Sequence, residues 1–78
     1  RDVSLARDPP GPTSILNVLP GRIEDLRDEG PGRVSVRIAI GADAAPLLAR
    51  ITRRSRDALG LQRGVSVHAM VKSVAIVT

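Results

Sequence analysis

Val34-Ser35-Val36-Arg37-Ile38-Ala39-Ile40 is the stretch on which the fold turns. Val34, Val36, Ile38 and Ile40 alternate with Ser35, Arg37 and Ala39. Side chains alternate between the two faces of a strand, so this pattern predicts a strand with one face buried and the other in solvent. Glu29-Gly30-Pro31-Gly32 precedes it and Gly41-Ala42-Asp43 follows it. Both are turn signals, so the chain is expected to fold back on each side of the strand.

Moving outward toward the C-terminus, Pro46 to Ile51 predicts a shorter strand and residues 53–59 a two-turn helix. Thr52 is placed to cap that helix, because its hydroxyl can accept from an otherwise orphan backbone N–H. Gly60 stands where a left-handed residue ends a helix. So short a helix needs the sheet beneath it to be stable. Gln62-Arg63-Gly64 then turns into a last strand, with Val65, Val67, Ala69 and Val71 apolar at odd positions and Val74 and Ile76 at even ones. A change of parity needs one extra residue, which predicts a β-bulge at Lys72-Ser73.

Toward the N-terminus, residues 13–27 carry Ile15, Leu16, Val18, Leu19, Ile23 and Leu26, interrupted by Pro20-Gly21. They predict two short strands or one bent strand, since proline within a strand belongs at an edge or a bulge. Asp8-Pro9-Pro10-Gly11-Pro12 cannot hold a ladder and reads as a linker or tight crossover. Val3-Ser4-Leu5-Ala6 reads as the end of a further strand. The expected fold is mainly β: a small five-stranded barrel of the oligonucleotide-fold type with one short helix. Residues 1–12 are expected to be a connecting segment and residues 13–78 the barrel domain.

Composition narrows the function. The chain has 78 residues, no cysteine and no aromatic residue. Disulfides and thiolate zinc sites are therefore excluded, and the core must be aliphatic, with less area buried per side chain than aromatics supply. A domain this small buries only roughly 60% of its unfolded surface, so self-association is expected to supplement it. Residues 31–64 hold seven arginines against Asp43 and Asp57, whereas residues 1–30 hold four arginines against six acids. A basic middle suits an anionic partner or a solvated surface. The chain begins with Arg, which suggests a processed chain or a piece of a larger protein.

Common catalytic and nucleotide-binding patterns are missing. There is no phosphate-cradling G-x-x-x-x-G-K-[ST] loop and no G-x-S-x-G elbow. His68, the sole histidine, falls on the polar parity of the last strand and reads as a surface or interface residue. Glu24, Asp25, Asp28 and Glu29 flank a turn, where carboxylates usually only solubilise. Arg50, Arg53, Arg54 and Arg56 cluster at the helix start, but single-strand nucleic-acid binders of this fold stack bases on aromatic rings, and none exist here. Nucleic acid is not an expected partner, nor is a bound metal ion. What remains is oxyanion capture: Thr13, Ser14 and Asn17 offer neutral donors, and Lys72 and Ser73 add a cation and a hydroxyl.

Those residues also carry a family likeness. Thr13 to Arg22 (Thr-Ser-Ile-Leu-Asn-Val-Leu-Pro-Gly-Arg), Ala49-Arg50-Ile51-Thr52 leading to Ser55 and Leu59-Gly60-Leu61, and Lys72-Ser73-Val74 resemble the Mop (molybdenum-pterin-binding, or molbindin) domain. Arg1 to Ala6 is similar to the stretch before that domain in the ATP-binding subunit of molybdate ABC transporters. The resemblance implies an oligonucleotide-fold-like barrel in a strand-exchanged dimer, with molybdate or tungstate bound between subunits. It implies an accessory regulatory domain rather than an enzyme, attached to an ATPase domain that works with a membrane permease. It also implies a cytoplasmic location on the inner face of the bacterial plasma membrane. A free-standing molybdate-storage protein and a purely structural dimerisation module are the alternatives. Matched by position, Ser14, Asn17, Lys72 and Ser73 are the oxyanion contacts, with Thr13 beside them. Where many oxyanion-binding members carry Arg, this chain has Leu16, so the charge at the site falls to Lys72.

Overall fold

The computed structural model describes residues 3–11 and 17–71. The elements run β1 (Val3–Ala6), β2 (Asn17–Asp28), β3 (Arg33–Ile40), β4 (Ala45–Thr52), α1 (Arg53–Leu59) and β5 (Ser66–Val71). All pairings are antiparallel, and the strand order across the sheet is β1-β5-β2-β3-β4. The two edges, β1 and β4, approach each other, so the sheet curls into a half-barrel. This is the expected mainly β fold with one short helix.

The alternation that predicts β3 determines what the sheet encloses. Val34, Val36 and Ile38 have no exposed surface and pack with Ile23, Ala49, Leu61 and Val67. Val3, Leu5, Leu26, Ile40, Leu47, Ile51, Leu59 and Val65 close the margins of this cluster. The core is wholly aliphatic, as the composition requires. On the opposite face lie Ser35, Arg37 and Ala39.

Residues 17–28 form one strand, and it is bent. Its register with β3 shifts between Ile23 and Asp25, leaving Glu24 as the extra residue of a β-bulge. The bulge turns the Glu24 carbonyl toward Arg63, whose Nε donates to it at 3.0 Å. Bonds from Ile23 N to Val65 O (2.9 Å) and from Gly64 N to Ile23 O (2.8 Å) fasten the other side. The bulge expected at Lys72-Ser73 lies outside the described residues.

Pro20 sits within β2, a central strand, yet it costs the sheet little. The amide nitrogen and carbonyl of one residue point the same way, and the Pro20 carbonyl accepts from Gly41 N on the β3 side (3.4 Å). The β2–β3 ladder begins only at Gly21↔Ile40, so the missing N–H faces a position beyond the ladder's end. Proline is therefore at a local edge, as strand chemistry demands. Next to it, Gly21 is required: a Cβ there would lie 2.7 Å from the Ala39 carbonyl oxygen.

The helix ends as its sequence dictates. The Thr52 hydroxyl accepts from Ser55 N at 3.0 Å, and Gly60 has φ +63° with Leu61 N bonded back to Arg56 O at 3.0 Å. Val3–Ala6 is a strand of the sheet, paired with β5 from Val3↔Val71 to Ala6↔His68. Just beyond it, Arg7 Nη1 donates to the Leu59 carbonyl at 2.8 Å, tying the N-terminal strand to the end of α1.

Candidate functional site

The expected oxyanion residues come from two parts of the chain more than fifty positions apart. Of these, Asn17 is described: it is the exposed first residue of β2. Thr13, Ser14, Lys72 and Ser73 lie outside the described residues. The β2–β5 register pairs Asn17 with Val71, and Val71 also pairs with Val3 of β1. This rung holds the first residue of β2 and the last of β5.

The remaining polar chemistry lies on the outer face of the sheet. There β2, β3 and β4 form two charged rows across the strands: Arg27, Ser35 and Arg50 in one, and Asp25, Arg37 and Leu48 in the next. Asp25, Arg27, Glu29, Ser35, Arg37 and Leu48 line a hollow of about 260 Å³. Ser35 is 6% exposed, while Leu48 is 57% exposed. The hydroxyl thus lies on the floor of the hollow, and a large apolar side chain stands at its rim.

Three of the four acidic residues, Glu24, Asp25 and Asp28, have specific partners. Glu24 pairs with Arg37 (3.4 Å), Asp25 with Arg27 (3.3 Å), and Asp28 with both Arg53 (3.2 Å) and Arg56 (3.9 Å). Arg56 Nε also meets Asp57 at 3.0 Å. Half of the basic cluster at the helix start is therefore neutralised within the domain. These pairs are solvated, and each contributes at most about 1 kcal/mol.

His68 projects from the outer side of β5, opposite Pro20 and Ala6. It is half-buried, and its Nδ1 is enclosed without a hydrogen-bond partner among the described residues. Among the described residues, no group of three His, Asp or Glu side chains is placed to hold a metal ion. None of their helices is long and apolar enough to cross a membrane.

Sequence reading did not find the Arg27–Ser35–Arg50 row. Each member is the polar half of an alternating strand, so a signal was present in each strand. Which polar residues meet depends on register, and that is set by turns and the Glu24 bulge rather than by any one strand.

A family model described as the TOBE domain matches residues 13–77. The molybdenum import ATP-binding protein ModC of Methylococcus capsulatus is 52% identical over 77 residues, covering 97% of this chain and 21% of that protein. ModC 2 of Azotobacter vinelandii is 53% identical over 77 residues, again 97% of this chain and 21% of that protein. The chain thus spans about a fifth of the length of these curated relatives. The cytoplasmic molybdate-binding protein ModG, solved with molybdate bound, superposes with a TM-score of 0.81 at 25% identity. That match covers 90% of this chain and 49% of ModG. MopII from Clostridium pasteurianum superposes with a TM-score of 0.71 at 29% identity, covering 86% of this chain and 100% of MopII. The likeness first seen in Thr13–Arg22, Ala49–Leu61 and Lys72–Val74 therefore extends to the whole domain and to its fold, and the chain belongs to the TOBE domain family as a Mop-like member.

Proposed function

We propose that this chain is an accessory, non-catalytic regulatory domain of a molybdate-transporter ATPase and binds molybdate or tungstate between two copies of itself. The observation that carries this reading is the Asn17–Val71 rung. It pairs the first residue of β2 with the last of β5, and in this reading Thr13 and Ser14, just before the one in sequence, act with Lys72 and Ser73, just after the other. A tetrahedral dianion accepts several hydrogen bonds, and charge-assisted donors are roughly twice as strong as neutral ones. In this reading Lys72 supplies the charge, while Asn17 and the hydroxyls of Thr13, Ser14 and Ser73 fix the orientation. A second copy, exchanging a strand, completes the site and adds the core that a small aliphatic domain lacks.

The names of the relatives and the molybdate bound in ModG support the choice of ligand. Residues 13–78 form the binding domain, and residues 1–12 lead in from the ATPase domain, with β1 completing the sheet. In the full transporter the domain sits in the cytoplasm beside the membrane permease, senses intracellular oxyanion and restrains import. The competing reading is a structural dimerisation module, favoured by Leu16, an apolar residue where many oxyanion-binding members carry Arg.

Calorimetric titration of the dimeric domain with sodium molybdate tests the proposal. Saturable heat is expected, with Lys72→Ala weakening affinity about tenfold or more, since a charge-assisted contact is lost. No heat at millimolar molybdate, in a sample shown to be dimeric, would overturn it. A dimer whose behaviour is indifferent to Lys72→Ala would establish the structural reading instead.

A further inference from the structure

Arg27, Arg37, Arg53 and Arg56 have carboxylate partners among the described residues, whereas Arg33 and Arg50, two neighbours on the outer face, do not. Among the described residues, neither Arg33 nor Arg50 forms an ion pair or a side-chain hydrogen bond, in contrast to Arg27, Arg37, Arg53 and Arg56. The β3–β4 register places Ser35 opposite Arg50 and Arg33 opposite Thr52. Arg33 and Arg50 are thus diagonal neighbours on the outer face, where Cβ atoms lie roughly 7–8 Å apart and long side chains can meet. Both line a cavity of about 190 Å³ with Glu29 and Val34. Ser35 lines the hollow next to it, which shares Glu29 as a wall.

Like charges on neighbouring strand positions are unfavourable unless an anion lies between them. Each guanidinium offers a planar fork of donors that matches an oxyanion, and a serine hydroxyl adds a rotatable one. We propose that Arg33 and Arg50, with the Ser35 hydroxyl beside them, form a second oxyanion seat on the outer face, taking a small tetrahedral dianion of the phosphate and sulfate class. It lies apart from the Asn17–Val71 rung. Asn17 and Asp28 are opposite ends of β2, and Arg33 follows the turn at the Asp28 end. Glu29 opposes an incoming dianion from the same cavity wall, so the seat has low affinity and responds to concentrated anion only.

Inorganic phosphate, titrated into the ¹⁵N-labelled chain at constant ionic strength, is the test. Saturable shifts are expected at Ser35, at Arg50 and at the arginine Nε–H groups of positions 33 and 50. The double variant Arg33→Gln/Arg50→Gln should abolish saturation while leaving the core resonances of Val34 and Val36 dispersed, since both side chains are exposed. Arg50→Lys should recover only part of the affinity, because an ammonium lacks the fork. Glu29→Gln should tighten binding roughly threefold by removing a nearby like charge. Shifts that stay linear with phosphate, or that persist unchanged in the double variant, would overturn the proposal. A parallel titration with molybdate, read at Asn17 and Val71, reports on the first site alone, so either site can fail without the other.

Discussion

The two halves of the sheet are alike inside and unlike outside. Beneath both halves lie the same aliphatic side chains, from Val67 and Ala69 of β5 to Val34, Val36 and Ile38 of β3. Outside, the β2–β3–β4 half carries Arg27, Asp25, Ser35, Arg37, Leu48 and Arg50. The β1–β5–β2 half presents Ser4, Ala6, Val18, Pro20, His68 and Met70, with Arg22 the cation of its last rung. β2 belongs to both, and its character changes between Gly21 and the Glu24 bulge. The contrast separates two tasks. The shared inner face holds the fold, while the outer face is free to differ because its residues cost little stability when solvated. A charged outer half can engage ions reversibly. The other outer half is largely uncharged and encloses an imidazole nitrogen that finds no partner among the described residues.

Three substitutions probe this contrast, beginning with the largest effect. Gly21→Ala strikes the strand the halves share. Its Cβ would come within 2.7 Å of backbone and of the Ile38 and Ile40 side chains, so the strand must shift. A loss of about 2 kcal/mol is expected by urea denaturation, in the range for overpacking. An unchanged midpoint would show that β2 bends more freely than its close contact with β3 implies. His68→Val tests the neutral half. It removes a polar atom enclosed without a partner among the described residues and introduces a residue that favours strands, so a gain of about 1 kcal/mol is expected. A loss of stability would mean that His68 makes a bond essential to the domain in solution. Arg37→Gln tests the charged half. Its pair with Glu24 spans 3.4 Å between side chains 60% and 45% exposed, so stability should move by less than about 0.5 kcal/mol. A larger loss would make the charged half part of the scaffold.

Much of this architecture was legible locally. The alternation of Val34 to Ile40 gives β3 and its inner face, because strand geometry assigns side chains to faces without reference to anything distant. Thr52 and Gly60 bound the helix for the same reason: a cap bonds backbone groups within a turn or two of itself. Pro20 was harder to read. Whether it sits at an edge depends on where the β3 ladder begins, which no feature of residues 13–27 specifies. The acidic residues at 24–28 read as solubilising, yet their arginine partners on β2, β3 and α1 make them part of a pairing pattern. Of the expected oxyanion residues, Asn17 is the described one, and it opens β2. Its rung with Val71 joins residues 54 positions apart, and no local pattern predicts such a pair.

The sequence by itself determined an aliphatic β domain without thiol or aromatic chemistry, the faces of its strands, the ends of its helix, and a family likeness in three separated segments. Those features depend on composition and on interactions a few residues long. Only the tertiary structure decided the strand order, the bulge at Glu24, the row of Arg27, Ser35 and Arg50, and the bond from Arg7 to Leu59 that ties β1 to the helix. Each of these is a choice of register or partner between distant segments. Such choices are made by the collective packing of one aliphatic core, where a slip of a single residue would turn every buried side chain outward.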